Sequence, residues 1–154
     1  MDNISVISNR RGVLNQTAQL VFESFENTDI TFAIVSKEGH CITSRPKVVA
    51  QVFSNQELLD SLCQRIDDGD EPTMAYIGDY LVAASALSID EDNNGYVIMI
   101  LPGYTPEKAS ASMDFIEVIL SQISMLAREV GRNMESSFPG TPFDFQLLTG
   151  AALN

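Results

Sequence analysis

The stretch TMAYIGDYLVAASALSIDEDNNGYVIMIL, residues 73–101, holds three runs of strand-forming residues separated by two turn signals. Thr73 to Ile77, Tyr80 to Ile89 and Tyr96 to Leu101 are rich in β-branched and aromatic side chains, while Gly78-Asp79 and Asn94-Gly95 are pairs that tight turns favour. Successive side chains of a strand face opposite ways, so a sheet with one wet face reads as alternating apolar and polar residues. These strands do not alternate. Tyr96, Ile98 and Ile100 point one way and Val97, Met99 and Leu101 the other; on the neighbouring run Leu81, Ala83 and Leu87 oppose Val82, Ala84 and Ala86. Something apolar must cover each side. Ala83, Ala84, Ser85 and Ala86 leave little side-chain volume mid-sheet, which suits a close helix or a cavity.

Upstream, FAIVSKEGHCITSR (residues 32–45) reads as a further hairpin. Ile30 to Ser36 is one strand, Lys37-Glu38-Gly39-His40 a turn in which Gly39 takes a positive φ, and Cys41 to Ser44 a second extended run. The stretch also sets the only histidine beside one of two cysteines. A nucleophilic pair needs the two side chains to meet and a third group to orient the imidazole, but neighbours on a strand diverge and no Asn or Asp nearby serves. A metal site would have to recruit carboxylates and the distant Cys63. Neither a catalytic group nor a metal is expected. Asp90-Glu91-Asp92-Asn93-Asn94-Gly95 opens like an EF-hand calcium loop, yet its twelfth position is Leu101 in place of the bidentate Glu, and strands flank it.

Helices bracket these strands. Leu14, Ala18, Val21 and Phe25 recur at helical spacing, giving a helix from Arg10 to Asn27 after a tail of residues 1–9, with Gly12 weakening its first turn. Between the two strand groups Pro46 stops a strand, and Lys47 to Phe53 reads as a short helix or buried loop. Ser54-Asn55-Gln56-Glu57 has the form of a capping box with Ser54 as the cap. Leu58, Leu59, Leu62, Cys63 and Ile66 follow on one face, which makes Cys63 a packing residue.

Thr105 is placed to cap, and Pro106 to start, a last helix reaching Met134. Its Ala109, Met113, Ile116, Leu120, Ile123, Ala127, Val130 and Met134 form a seam of period 3.5, with Phe115, Val118, Ile119 and Leu126 apolar beside it. One wide core stripe would give the same spacing. A single helix of about 29 residues, however, is about 43 Å long, more than a small sheet can cover. A homodimer through the terminal helices is therefore expected, with Leu14, Val21, Met113, Ile116, Leu120, Ile123, Ala127 and Val130 at the interface. Residues 135–154, with Pro139-Gly140-Thr141-Pro142, read as linker and tail.

Composition bounds the function. A chain of 154 residues is expected to form one domain, here residues 10–134, with a core large enough to need no disulfide. Nine Lys and Arg against 21 Asp and Glu give a net charge of -12, and no basic residue occurs between Arg65 and Lys108. Nucleic acid is excluded as a direct partner, because affinity for it comes mostly from Lys and Arg on phosphates. The opening Met1-Asp2-Asn3 lacks a signal-peptide pattern and the longest apolar run, Tyr96 to Leu101, is far short of a membrane span. A cytoplasmic protein with reduced thiols and no membrane partner is expected.

The order of helix, hairpin, middle helices, three-stranded meander and long helix resembles the GAF and PAS class of sensory domains. The residues carrying the likeness are Ile34-Val35-Ser36-Lys37-Glu38-Gly39-His40-Cys41-Ile42-Thr43-Ser44, similar to the strand, charged glycine turn and strand that open those families. The resemblance implies an α+β fold: a five-stranded antiparallel sheet of PAS, GAF or profilin type, flanked by N- and C-terminal helices, with helices inserted between strands two and three. It also implies a non-enzymatic signalling role, with a small molecule held between the sheet and the segment from Arg45 to Asp70 and a helical dimer as relay. Ser44, Arg45, Phe53, Met74, Tyr76, Tyr80 and Val82 are then the expected pocket lining, and Arg45 and Lys47 would meet an anionic ligand. No motif indicates a cofactor. The same order is similar to roadblock and longin adaptors, which use such a sheet to bind proteins and no metabolite; the long insertion from Pro46 to Pro72 favours the sensor.

Overall fold

The computed structural model describes the backbone of residues 3–89 and 94–136, and the side chains of 11–89 and 94–133. The acidic turn of residues 90–93, the side chain of Met134 and the proline-glycine linker with the tail after it lie outside the described residues.

Helix α1 runs Asn3–Phe25, so residues 3–9, expected as a tail, are part of the helix. Its face of Val13, Leu14, Ala18, Val21 and Phe25 is buried. Thr17 sits fully buried on that face because its hydroxyl donates to the Val13 carbonyl at 2.7 Å. At the far end the Thr28 hydroxyl donates to the Phe25 carbonyl and accepts from the Ile30 amide, turning the chain into strand β1, Thr31–Ser36. β1 and β2 (Cys41–Thr43) form the expected hairpin, with Gly39 at φ +87 and the Ser36 hydroxyl accepting from the His40 amide.

α2 (Pro46–Val52) and α3 (Gln56–Asp67) follow. The cap of α3 is Asn55, whose side-chain oxygen accepts from the Leu58 amide at 3.0 Å, one residue later than the capping-box reading placed it. Strands β3 (Thr73–Ile77), β4 (Tyr80–Leu87) and β5 (Gly95–Pro102) form the meander. α4 (Pro106–Ala111) and α5 (Met113–Ser136) complete the described chain. Thr105 caps α4 as expected, accepting from the Lys108 amide. The helix does not run on unbroken: Ser112 leaves helical geometry, so α4 is a separate short turn and α5 is 24 residues long.

All pairings are antiparallel and the strand order is β2-β1-β5-β4-β3, which sets the first strand beside the last at the middle of the sheet. This is the α+β arrangement that the GAF and PAS resemblance implies. Both faces are covered. Phe32, Ile34, Leu81, Ala83, Leu87, Val97, Met99 and Leu101 pack under α1 and α5; Ala33, Val35, Val82, Ala84, Tyr96, Ile98 and Ile100 pack under α2 and α3 through Val52, Leu62 and Ile66.

The seam of α5 requires a correction. Ile116, Leu120, Ile123, Ala127 and Val130, with Leu14 and Val21 of α1, are at most 4% exposed in a single chain and join the sheet in one core. They are consumed within the subunit and cannot form an interface between subunits. Met113 alone of the expected set keeps substantial exposure. The reason is geometric: α5 lies against both α1 and the sheet, so one helix needs a wide apolar sector to satisfy two neighbours. The surface left over on α5 carries Val118 and Met125, one heptad apart and about half exposed.

Candidate functional site

The residues expected to line one pocket do not converge. Phe53, Tyr80 and Val82 share the face beneath α2 and α3, where the Tyr80 hydroxyl donates to Gln51 Oε1 at 3.2 Å. Met74 packs on the opposite side with the α1 and α5 core, and Tyr76, which lies on that same face by alternation, is exposed. Gly78 and Asp79 form the expected two-residue loop, which places Ile77 opposite Tyr80, so the residues sharing a face with Tyr80 are Ile77, Ala75 and Thr73, and the expected lining mixed the two faces.

Beneath α2 and α3 the sheet contributes Ala33, Val35, Val82, Ala84, Tyr96, Ile98 and Ile100 to a cluster with Val52, Leu62 and Ile66. The polar feature of that side lies at its end. Lys37, Asp67 and Tyr96 meet there: the Tyr96 hydroxyl lies 2.9 Å from both Asp67 carboxylate oxygens, and Lys37 Nζ donates to the Tyr96 hydroxyl at 2.8 Å and to Asp67 Oδ1 at 3.3 Å. The hydrogen bond with Tyr96 and the Asp67 carboxylate hold the Lys37 ammonium above its ordinary pKa, and burial raises that of the Tyr96 phenol. Cys63 lies in the same layer, its thiol pushed up to about 11 by burial and by Asp67 and Asp60. Burial raises Cys41 as well. Both thiols stay protonated near neutrality, which disfavours thiolate chemistry. Among the described residues no group of three or more His, Cys, Asp or Glu side chains could hold a metal.

Two cavities open elsewhere. The first, about 480 Å3, lies between the C-terminal turns of α1 and the edge strand β2. Phe22, Phe25, Phe32 and Ile42 supply apolar wall, Gln19, Glu23 and Glu26 the helix rim, and Thr43, Ser44 and Arg45 the strand rim. Ser44 and Arg45 therefore line a cavity, but on the α1 side of the sheet. Arg45 is committed to the backbone: Nη1 donates to the Ile30 carbonyl and the Thr31 hydroxyl, and Nη2 to the carbonyls of Thr28 and Glu26. Its cation faces the carbonyl end of α1, a site that favours positive charge, and it ties α1, β1 and α2 together. The second cavity, about 570 Å3, lies between β4 and α5 and is mostly polar.

No protein-family model matches the chain, and no curated protein does. Among solved structures it is similar to the GAF domain/HD domain protein from Geobacter sulfurreducens, with 12% sequence identity over 84% of this chain and 98% of that chain and a TM-score of 0.41. No helix among the described residues is long and apolar enough to cross a membrane.

Proposed function

We propose that this chain is a regulatory sensor domain of the cytoplasm that binds a small molecule in the cavity beside α1 and relays occupancy through α1 and α5 to a second copy of itself. The observation that carries the reading is the composition of that cavity's walls. One wall is α1 itself, through Phe22, Phe25 and Glu26; the other is the β2 edge with Ser44 and the Arg45 tie. A ligand seated there presses directly on a helix packed along α5. Its volume is within the range of small-molecule sites. With both Arg45 Nη groups held by three carbonyls and the Thr31 hydroxyl, and Glu23 and Glu26 at the rim, the cavity suits a neutral or cationic ligand more than an anion. The second copy would meet the outer face of α5 at Val118 and Met125.

A thermal-shift panel of metabolites tests this. A ligand at 100 times its Kd adds about 2.7 kcal/mol, and at about 2–4 °C per kcal/mol for a chain of this size it raises Tm by about 5–11 °C. Ile42→Glu should abolish that rise while leaving the fold intact, since Ile42 is only partly buried. A panel without a single shift, or a shift that survives Ile42→Glu, defeats the proposal.

The adaptor reading has one observation in its favour, the exposed Val118 and Met125 on α5 together with Tyr76 on the edge strand β3. Were these a platform for another protein, Val118→Glu with Met125→Glu would abolish that protein's capture and leave the size of the free chain unchanged.

A further inference from the structure

The two covers of the sheet are unequal. α1 and α5 take Phe25, Ile116, Ile119 and Ile123 fully out of water, whereas none of the largest fully buried side chains belongs to α2 or α3. Among the described residues those two helices bury only Val52, Leu62 and Ile66. Val48, Val49, Phe53, Leu59 and Cys63, the rest of their apolar side, are only partly covered, and Ala33, Ala84 and Ala86 on the sheet add little apolar area to the contact. A folded chain opens most readily where few apolar contacts must be broken. In this chain that place is the layer of α2 and α3.

The chain on either side of the layer is held by contacts of its own. Arg45, immediately before α2, donates to the carbonyls of Glu26, Thr28 and Ile30. Beyond α3, Gly69 turns the chain at φ +97, Asp70 accepts from the Thr73 hydroxyl at 3.0 Å, and Glu71 Oε1 accepts from the Ala86 amide at 2.7 Å. Residues 46–68 can therefore leave the sheet while both anchors stay in place. Arg65 does reach from α3 to Asp70 Oδ2 at 2.8 Å, but that pair is exposed and holds the layer weakly. The stronger polar tie is at the end of α3, where the Asp67 carboxylate lies 2.9 Å from the Tyr96 hydroxyl and 3.3 Å from Lys37 Nζ. Tyr96 belongs to β5 and Lys37 follows β1, so this network fastens α3 to the middle of the sheet.

We propose that α2 and α3 form a cover that detaches from the sheet as one unit while α1, α5 and the five strands stay folded, and that the network of Asp67, Tyr96 and Lys37 is the latch that sets how often it opens. Opening bares Val82, Ile98 and Ile100, an apolar floor that the closed protein keeps entirely from water. The cavity beside α1 lies on the other face of the sheet, and neither feature depends on the other.

Amide hydrogen exchange of the full chain at pH 7 in low urea tests it. The amides of residues 60–66 in α3 exchange at least about ten-fold faster than those of residues 119–127 in α5, and respond less steeply to urea because opening exposes less surface than unfolding. Ile123→Ala decides whether the opening is local. Ile123 stays packed when the cover lifts, so the substitution speeds the α5 amides at least about thirty-fold and leaves the α3 amides as they were. Tyr96→Phe removes the latch hydroxyl and keeps the ring beneath Lys37, and it speeds the α3 amides at least about ten-fold. Equal protection of α3 and α5, α3 amides that accelerate in step with α5 in Ile123→Ala, or α3 amides indifferent to Tyr96→Phe overturns the proposal. Should Ile123→Ala fail to fold, Ile123→Val takes its place, with an acceleration in α5 of about two- to ten-fold.

Discussion

Ile123→Ala separates a core seam from a dimer seam. Ile123 has no exposed surface within one chain and packs in the cluster joining α1, α5 and the sheet. The substitution removes three carbons, about 2.4 kcal/mol of transfer free energy at about 0.8 kcal/mol per methylene. The void left between two helices and a sheet cannot close fully, which brings the loss into the range of about 2–5 kcal/mol. At about 3.5 kcal/mol, and about 2–4 °C per kcal/mol for about 150 residues, Tm falls by about 7–14 °C. Calorimetry at two protein concentrations is the assay. A core residue gives a fall that does not depend on concentration and leaves subunit count unchanged, whereas a residue between subunits makes Tm follow concentration. Val118→Ala, on the outer face, changes the stability of the single chain by no more than about 0.5 kcal/mol. A loss below about 1 kcal/mol at Ile123 together with dissociation of an oligomer would refute the packing described above.

Gly95→Ala should cost about 1–3 kcal/mol in urea unfolding, because a Cβ there would lie 2.6 Å from the Val35 carbonyl oxygen, a backbone atom of the adjoining strand. Gly131→Ala crowds the Ile89 Cγ2 methyl at 2.8 Å and touches Val13 Cγ2 at 4.0 Å, and alanine's helix preference of about 1 kcal/mol offsets the adjustment, so that variant should unfold within about 1 kcal/mol of the parent. Arg45→Gln should lose about 1.5–3 kcal/mol, and hydrogen exchange should rise at the amides of residues 26–31, a segment in which the guanidinium holds the carbonyls of Glu26, Thr28 and Ile30. Cys63, Tyr96 and Lys37 all have folded pKa values raised above their ordinary ones, so each stabilises the fold at lower pH and loses that contribution as pH climbs through the folded value. Stability should therefore decline above pH 9, where Cys63 starts from its ordinary value and titrates toward about 11. Cys63→Ala should make that decline shallower in a pH series of urea melts, and an unchanged slope would count against the placement of the thiol.

The fold was largely legible because its strongest signal is local. Apolar residues on both faces of β4 and β5 require two covers, and no register error can disguise that. The Thr105-Pro106 start of α4 was equally plain, since cap and first-turn chemistry are confined to four residues. What failed needed knowledge of partners across space. Met74 and Tyr76 fall on the opposite face from Tyr80 and Val82, because the pairing of Ile77 with Tyr80 across the Gly78-Asp79 turn fixes which residues share a side. The seam on α5 has the same spacing whether the neighbour is α1 or another subunit, and sequence carries no label for which. Ser112 breaks the helix without a proline or glycine to announce it, so the length argument for a dimer started from an overlong rod. Arg45 offered no hint that its partners would be carbonyls at the end of α1, 15 to 19 residues away. The cleft between β4 and α5 was invisible for a simpler reason: β3 begins only at Thr73, and the lining comes from residues 71–88 and 117–128, far apart in the chain.

Native mass spectrometry of the purified chain, set against Val118→Glu with Met125→Glu, tests the regulatory reading most directly, because one spectrum reports both subunit count and retained small molecules. The account predicts a dimer carrying a bound compound, converted by the double substitution to a folded monomer. A parent chain that is monomeric at every concentration, carries no adduct and gains none from a metabolite mixture would contradict it.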